Sequence, residues 1–145
     1  MSVYADTSFL VSLYVLDSNS ERAATQIQQA TLPILLTTFG ELELTNAIAL
    51  RLFRQELTPS KVKAAHTLVH KDLVDGVLLA KPLTTSNFEK AMQMARRRTP
   101  QLGTRTLDIL HVASALELKA EMFYTFDHSQ ARLARAEGLL VTPEI

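Results

Sequence analysis

Val3-Tyr4-Ala5-Asp6-Thr7-Ser8 joins a short apolar run to a carboxylate and two hydroxyls. A run of this kind bounded by a polar turn reads as a buried strand, since strands covered on both faces are apolar throughout. The same pattern returns along the chain. Ile34-Leu35-Leu36-Thr37 follows Pro33, Val77-Leu78-Leu79-Ala80 follows Gly76, and Met122-Phe123-Tyr124-Thr125 leads through Phe126 to Asp127. Leu139-Leu140-Val141-Thr142 is a candidate edge strand.

Helical segments lie between these strands. Phe9 to Val15 is apolar on several sides and reads as a buried helix. Ser18-Asn19-Ser20-Glu21 and Thr38-Phe39-Gly40-Glu41 are capping boxes, opening helices that run to about Gln29 and about Gln55. Thr58-Pro59 places an N-cap before a first-turn proline, for a helix to about Val69. Ser86 and Glu89 open another to about Arg98, Pro100 and Gly103 mark a loop, and Thr104 starts a helix through about Lys119. The last runs from Asp127 to Glu137 and stops at Gly138. Strands alternating with helices predict an α/β fold with a central, mainly parallel sheet of four to five strands, a three-layer α/β/α sandwich. No linker, repeat or low-complexity tract divides the 145 residues, so one domain over 1–145 is expected, with a helical excursion near 40–75.

Composition narrows the classes. The chain has no cysteine, which removes disulfides, thiolate catalysis and cysteine-based zinc sites and fits a reducing cytoplasm. No apolar run nears the roughly 20 residues of a membrane span. The first residues lack the basic segment of a signal peptide. The formal net charge is zero, so nucleic-acid binding would rest on local patches. Candidates are Arg51 with Arg54, Lys61 with Lys63, and Arg96-Arg97-Arg98. The competing reading of each is a solvated helix face.

The chemistry sits in four acids. Asp6 and Asp127 close two strands, and in open parallel sheets ligands bind beyond the carboxyl ends of strands, near the switch point. Either Asp also suits a helix N-cap, and a carboxylate can serve both roles. Glu43 lies just inside the helix after the second strand, and Asp108 opens the apolar helix Ile109-Leu110-His111-Val112-Ala113. Clustered carboxylates repel one another unless they share a proton or a cation, so four of them suggest a divalent metal held by oxygen. Glu41 and Glu43 are two residues apart, about 200° around a helix, and cannot face one site. Glu41 suits the capping box. Glu43 shares a face with Asn46, Ala47 and Leu50 and is the preferred ligand, although the doublet keeps the choice ambiguous. Thr7, Ser8 and Thr125 are placed to orient strand-end carboxylates, or to bond the turns they occupy. His111 is one turn beyond Asp108. As a lone histidine in an apolar helix it reads as a hydrogen-bonded structural residue and is left out of the ligand set. His66 and His70 have i,i+4 spacing without an evident acidic third ligand, and read as helix surface.

These residues resemble a known family. Tyr4-Ala5-Asp6-Thr7-Ser8-Phe9-Leu10 is similar to the opening motif of PIN-domain nucleases, and Glu43-Leu44-Thr45-Asn46-Ala47-Ile48 to their second. The stretch Leu107-Asp108-Ile109-Leu110-His111-Val112-Ala113-Ser114-Ala115-Leu116 is similar to the third, and Phe123-Tyr124-Thr125-Phe126-Asp127 to the fourth. Order and length match over nearly the whole chain. The resemblance implies a PIN fold, and an acidic site of Asp6, Glu43, Asp108 and Asp127 binding Mg²⁺ or Mn²⁺. It implies metal-dependent cleavage of single-stranded or structured RNA, by a VapC-type toxin of a toxin–antitoxin pair; in-line attack by a metal-activated water would leave a 5′-phosphate and a 3′-hydroxyl. Such toxins are homodimers inhibited by a small antitoxin. Arg96 to Arg98 and Arg105 are candidate phosphate contacts.

Rival readings fare worse on the residues. A haloacid-dehalogenase-type phosphatase wants a second Asp two residues after the first, and Ser8 stands there. A receiver-like domain wants paired acids after its first strand, and no glycine-rich phosphate loop is present. A non-catalytic module that keeps the fold and binds RNA or protein is the alternative of a different class.

Overall fold

Strand β1 (Val3–Ala5) lies in the middle of a five-stranded sheet, and the strand order around it decides where chemistry can occur. The computed structural model describes residues 1–144. Along the chain follow α1 (Thr7–Tyr14), α2 (Ser20–Gln29), β2 (Ile34–Thr37), α3 (Thr38–Phe53), α4 (Pro59–Val74) and β3 (Leu78–Lys81). Then come α5 (Thr85–Leu102), α6 (Thr106–Glu117), β4 (Met122–Tyr124), α7 (His128–Ala136) and β5 (Leu140–Thr142). The sheet order is β3-β2-β1-β4-β5, and every neighbouring pair is parallel. Val3 stands level with Ile34 on one side and with Met122 on the other.

Alternation along the strands builds the layers, because successive side chains point to opposite faces. Val3, Ala5, Ile34 and Leu36 pack with Phe9, Leu10, Leu44, Ile48 and Val62, from α1, α3 and α4. Tyr4 and Phe123 pack with Met94, Ile109, Val112 and Leu133, from α5, α6 and α7. The result is the expected α/β/α sandwich. The whole of Ile109 to Ala115 is buried, because α6 is covered by the sheet and by α5 and α7 at once. Among the described residues no helix is long and apolar enough to cross a membrane.

Several helix starts differ from the expected positions. Asp6 is the N-cap of α1, so that helix begins at Thr7 rather than Phe9. The box at Ser18 does not form. Asn19 takes the cap position without a side-chain bond, while Ser20 donates to the Val15 carbonyl and accepts from the Asp17 amide. Thr37, not Thr38, caps α3 by accepting from Gly40 N–H at 3.0 Å, which moves Glu41 out of the box position. Thr84 with Asn87 forms the box that opens α5, in place of Ser86 with Glu89. Helix α5 continues through Pro100 to Leu102 and ends at Gly103, in the left-handed region at φ 62°. A proline near the end of a helix forfeits one backbone bond. The packing of α5 on α6, the most extensive between any two elements, outweighs that loss.

The cap at Thr37 holds the end of α3 against the sheet, and Thr37 is buried while Thr38 is exposed. Thr37→Ala is expected to lower unfolding free energy by about 1 kcal/mol, whereas Thr38→Ala stays within about 0.5 kcal/mol of the parent. Urea unfolding of the two variants checks this, and equal losses would contradict the assignment.

Candidate functional site

The strand order reverses between β1 and β4. The chain leaves β1 for β2 over one face of the sheet and leaves β4 for β5 over the other. Diverging connections open a crevice beyond the carboxyl ends of that strand pair. Asp6 is the first residue after β1, and its N–H donates to the Tyr124 carbonyl at 3.1 Å, which ties it to the end of β4. Thr125, Phe126 and Asp127 follow β4 directly.

The Asp6 carboxylate is fully buried and well supplied with donors. Ser8 Oγ donates to Oδ1 at 2.7 Å, the Phe9 amide to Oδ1 at 2.9 Å, and Thr125 Oγ1 to Oδ2 at 2.5 Å. Thr125 Oγ1 in turn accepts from the Asp127 amide at 2.9 Å, and Ser8 Oγ accepts from the Phe126 amide at 2.9 Å. Asp127 caps α7 by accepting from Gln130 N–H on Oδ1 at 2.9 Å. One mesh of short bonds therefore links Asp6 to the backbone of Asp127. Burial pushes the Asp6 pKa up, while neighbouring His111 and the donors Thr125, Ser8 and Phe9 pull it down without prevailing. A buried carboxylate among neutral donors lacks the counter-charge that such a group calls for.

A second mesh crosses the layers. Thr7 Oγ1 donates to Glu43 Oε1 at 2.8 Å. His111 Nε2 approaches the same oxygen at 2.5 Å, and Nδ1 lies 2.8 Å from the Tyr4 hydroxyl. A carboxylate only accepts, so Nε2 carries a proton and donates to Glu43, while Nδ1 is hydrogen-bonded to the Tyr4 hydroxyl. Burial raises the Glu43 pKa, but the bonds from His111 and Thr7 outweigh it and hold this carboxyl below the usual range. The Tyr4 hydroxyl is driven far up, first by burial and then by Asp6 and Glu43, so it remains a donor. His111 is the residue that sequence reasoning set aside. It is hydrogen-bonded and buried as expected, yet its second nitrogen reaches Glu43. The available signal was its position one turn after Asp108, on the same helix face.

Asp108 is the third helical residue of α6 and is buried. Its Oδ2 accepts from the Arg105 amide at 3.4 Å and lies 3.9 Å from Arg105 Nε, so it interacts with the start of its own helix. Glu41 faces away from Glu43. It lines a separate open cavity of about 330 Å³ between α3 and α4, with Thr45, Ile48, His66, Val69, His70 and Leu73. The acidic neighbour missing from the sequence reading of His66 and His70 is thus Glu41. Among the described residues, however, no three acidic or histidine side chains anywhere stand close enough to enclose a metal by themselves. The structure brings Glu43, Thr7 and His111 into one bonded group and Asp6, Ser8, Thr125 and the Asp127 amide into another.

The basic patches divide. Arg97 and Arg98 both reach Glu137, and Arg51 pairs with Asp17 and Glu56, so these have structural partners. Arg54, Lys61, Lys63 and Arg96 are exposed.

The sequence pattern of the PIN domain matches residues 3–136. Among curated protein sequences none matches this one. The fold is similar to the crystal structure of VapC20 from Mycobacterium tuberculosis, described as a sarcin–ricin loop cleaving toxin. The TM-score is 0.72 at 17% identity, covering 96% of this chain and 97% of that one. It is also similar to the crystal structure of FitAcB from Neisseria gonorrhoeae, with a TM-score of 0.68 at 17% identity, covering 97% and 96%.

The raised pKa of Asp6 has a consequence for stability. The folded chain binds that proton more tightly than the unfolded one, so the parent loses stability as pH climbs from the unfolded pKa, about 3.9, through the raised value. Asn caps a helix as well as Asp does and cannot ionise. In metal-free buffer, the stability of Asp6→Asn relative to the parent should therefore rise as the pH climbs from about 4 toward neutrality. Thermal melts across that range check it, and a difference independent of pH would contradict it.

Proposed function

The chain belongs to the PIN domain family, and from that premise we propose that it is a Mg²⁺- or Mn²⁺-dependent endoribonuclease, the toxin of a toxin–antitoxin pair. The observation that carries this is Asp6, a carboxylate buried at the switch point of the sheet and held only by neutral donors and a histidine. The donor chemistry fits a hard cation. Mg²⁺ is held by one or two carboxylates and keeps several waters, so it needs no closed protein cage. Asp6, Glu43, Asp108 and Asp127 would hold it, through the oxygen ligands that Mg²⁺ and Mn²⁺ prefer.

When bound, such a cation supplies Lewis-acid stabilisation of a phosphate and lowers the pKa of water to near neutrality. The protein's own part is positioning. Ser8, Thr125 and the Phe9 amide fix both oxygens of Asp6, which keeps its orientation constant during a reaction. His111, held by Tyr4, fixes Oε1 of Glu43 and keeps that group ionised at neutral pH. Oε2 of Glu43 accepts no hydrogen bond among the described residues and is the oxygen left for a ligand. Thr125 links Asp6 to the Asp127 backbone, so the two strand-end acids move as one unit.

The fold shared with VapC20 over nearly the full length of both chains supports RNA as the substrate class and a cognate antitoxin as the partner. A homodimer belongs to the same proposal. Phe88, Met92 and Leu107 project from α5 and α6 beside an apolar groove of about 170 Å³, and burial in a second copy would remove that surface from water.

The test is cleavage of total cellular RNA by the purified chain. Cleavage should need Mg²⁺ or Mn²⁺ and stop in EDTA. Asp6→Asn and Glu43→Gln should each lose more than the roughly 100-fold at which removal of an outer partner of a metal ligand saturates. His111→Asn should lose roughly 10- to 100-fold, because Glu43 loses the partner that orients it and holds its pKa down. Parent-like rates in Asp6→Asn would refute the proposal.

A further inference from the structure

Helix α7 carries a cationic stripe that begins beside the acid site and that the proposed chemistry does not use. Asp127 caps the helix, and His128, Arg132 and Arg135 follow at i, i+4 and i+7, on one face. All three are exposed, while Ala131, Leu133 and Ala134 on the other face are buried. With Ser129 they line an open cavity of about 410 Å³. At about 1.5 Å rise per residue, the stripe runs about 10 Å away from Asp127, the axial length of about three stacked nucleotides.

The charges on this face are not cancelled. Glu137, the one acid after Asp127 on this helix, is taken by Arg97 and Arg98 from α5. Arg135 has no ion pair among the described residues. Arg132 gives one N–H to the Leu102 carbonyl at 3.0 Å, which steadies the guanidinium and leaves its other donors toward the cavity. A groove of planar cations with spare donors is built for phosphate, which arginine grips through paired N–H groups. The peptide dipoles at the start of α7 add to the attraction.

We infer that the His128–Arg132–Arg135 face of α7 is a phosphate-binding track for single-stranded RNA leaving the acid site past Asp127. The inference deepens the ribonuclease reading and rests on it for the choice of RNA. Tracks of this kind follow the backbone and bind with little regard to sequence. The Arg96-Arg97-Arg98 run, the more conspicuous basic motif of the sequence, is not the track, since two of its three members are engaged with Glu137.

The experiment measures binding without turnover. The full-length chain, in EDTA, is titrated into a fluorescent single-stranded RNA oligonucleotide of mixed sequence, between about 50 and 200 mM salt, and the slope of log affinity against log salt is read. Arg132→Gln with Arg135→Gln should flatten that slope by about 1.4, since each phosphate contact contributes about 0.7 on a single strand. Binding at the lowest salt should weaken roughly tenfold, the effect of losing two exposed charge contacts. Arg135→Gln alone touches nothing that holds the fold and should flatten the slope by about 0.7, while Arg135→Lys should restore it. Lys61→Gln with Lys63→Gln on α4 removes the same charge elsewhere and should leave the slope unchanged. An unchanged slope in the α7 variants, or an equal fall in the α4 variant, overturns the track. A chain that binds RNA through α7 in EDTA yet never cleaves it with Mg²⁺ or Mn²⁺ would sink the nuclease reading alone.

Discussion

Asp6 is a carboxylate sealed from solvent at the point where the sheet reverses its order, and the surrounding structure is arranged to make that tolerable. Burying a charge without a partner is unfavourable by several kcal/mol. Here the partners are local and neutral. Ser8 and the Phe9 amide come from the turn that Asp6 itself opens, and Thr125 comes from the end of the neighbouring strand. Satisfying the carboxylate thus joins the ends of β1 and β4 and fixes where Asp127 stands. Burial still raises its pKa, so the mesh reduces the conflict without removing it. A protein that keeps such a group forgoes stability at neutral pH, a familiar trade at sites built for function.

The other half of the crevice solves a different problem. Glu43 belongs to α3, on one side of the sheet, and His111 to α6, on the other. They meet only at the sheet's upper edge, and Tyr4 on the central strand sets the angle of the imidazole between them. Tyr4 itself is stacked on Phe123 at 5.5 Å between ring centres, so its hydroxyl has little freedom. The two layers are therefore registered to each other by a polar contact as well as by apolar packing. Burial lifts the pKa of Asp6 above its ordinary value, while the His111 and Thr7 bonds pull that of Glu43 below it. Carboxyls pushed apart in this way are characteristic of sites with divided roles.

Strand-end patterns carried most of the fold in the sequence. Short apolar runs that lead into Asp6, Thr37 and Asp127 located three strands and the sheet edge that carries the candidate site, because a parallel strand must be apolar on both faces and must end where its backbone meets water. Helix starts were less legible. Ser18, Thr38 and Ser86 all carry the right side chain, but the cap goes to whichever residue the preceding chain delivers in an extended conformation. That is decided by packing, as at Thr37 and Thr84. Pro100 misled for the same reason, since the contact of α5 with α6 overrides a local penalty. In the candidate site, spacing separated Glu43 from Glu41, because 200° of helix is a geometric fact whichever residue caps. The role of His111 was not legible, since its two partners lie 107 and 68 residues away in sequence.

A formal net charge of zero argued at first sight against a nucleic-acid partner, and the arrangement of the charges reverses that argument. Acids and bases are equal in number, and many of them pair with each other, but not on every surface. Asp6 and Asp127 follow the ends of the two strands at the switch point, and arginines line the outer face of the helix that Asp127 opens. Ion pairs such as those of Arg97 and Arg98 with Glu137 consume basic residues where they would serve only structure. On the proposed reading, a polyanion approaching the crevice would meet the uncancelled cations of α7 first. Attraction within about 10 Å is governed by the nearest charges, because ordinary salt screens the rest. The sum over the whole chain is therefore the wrong quantity, and the charge on one helix face is the relevant one.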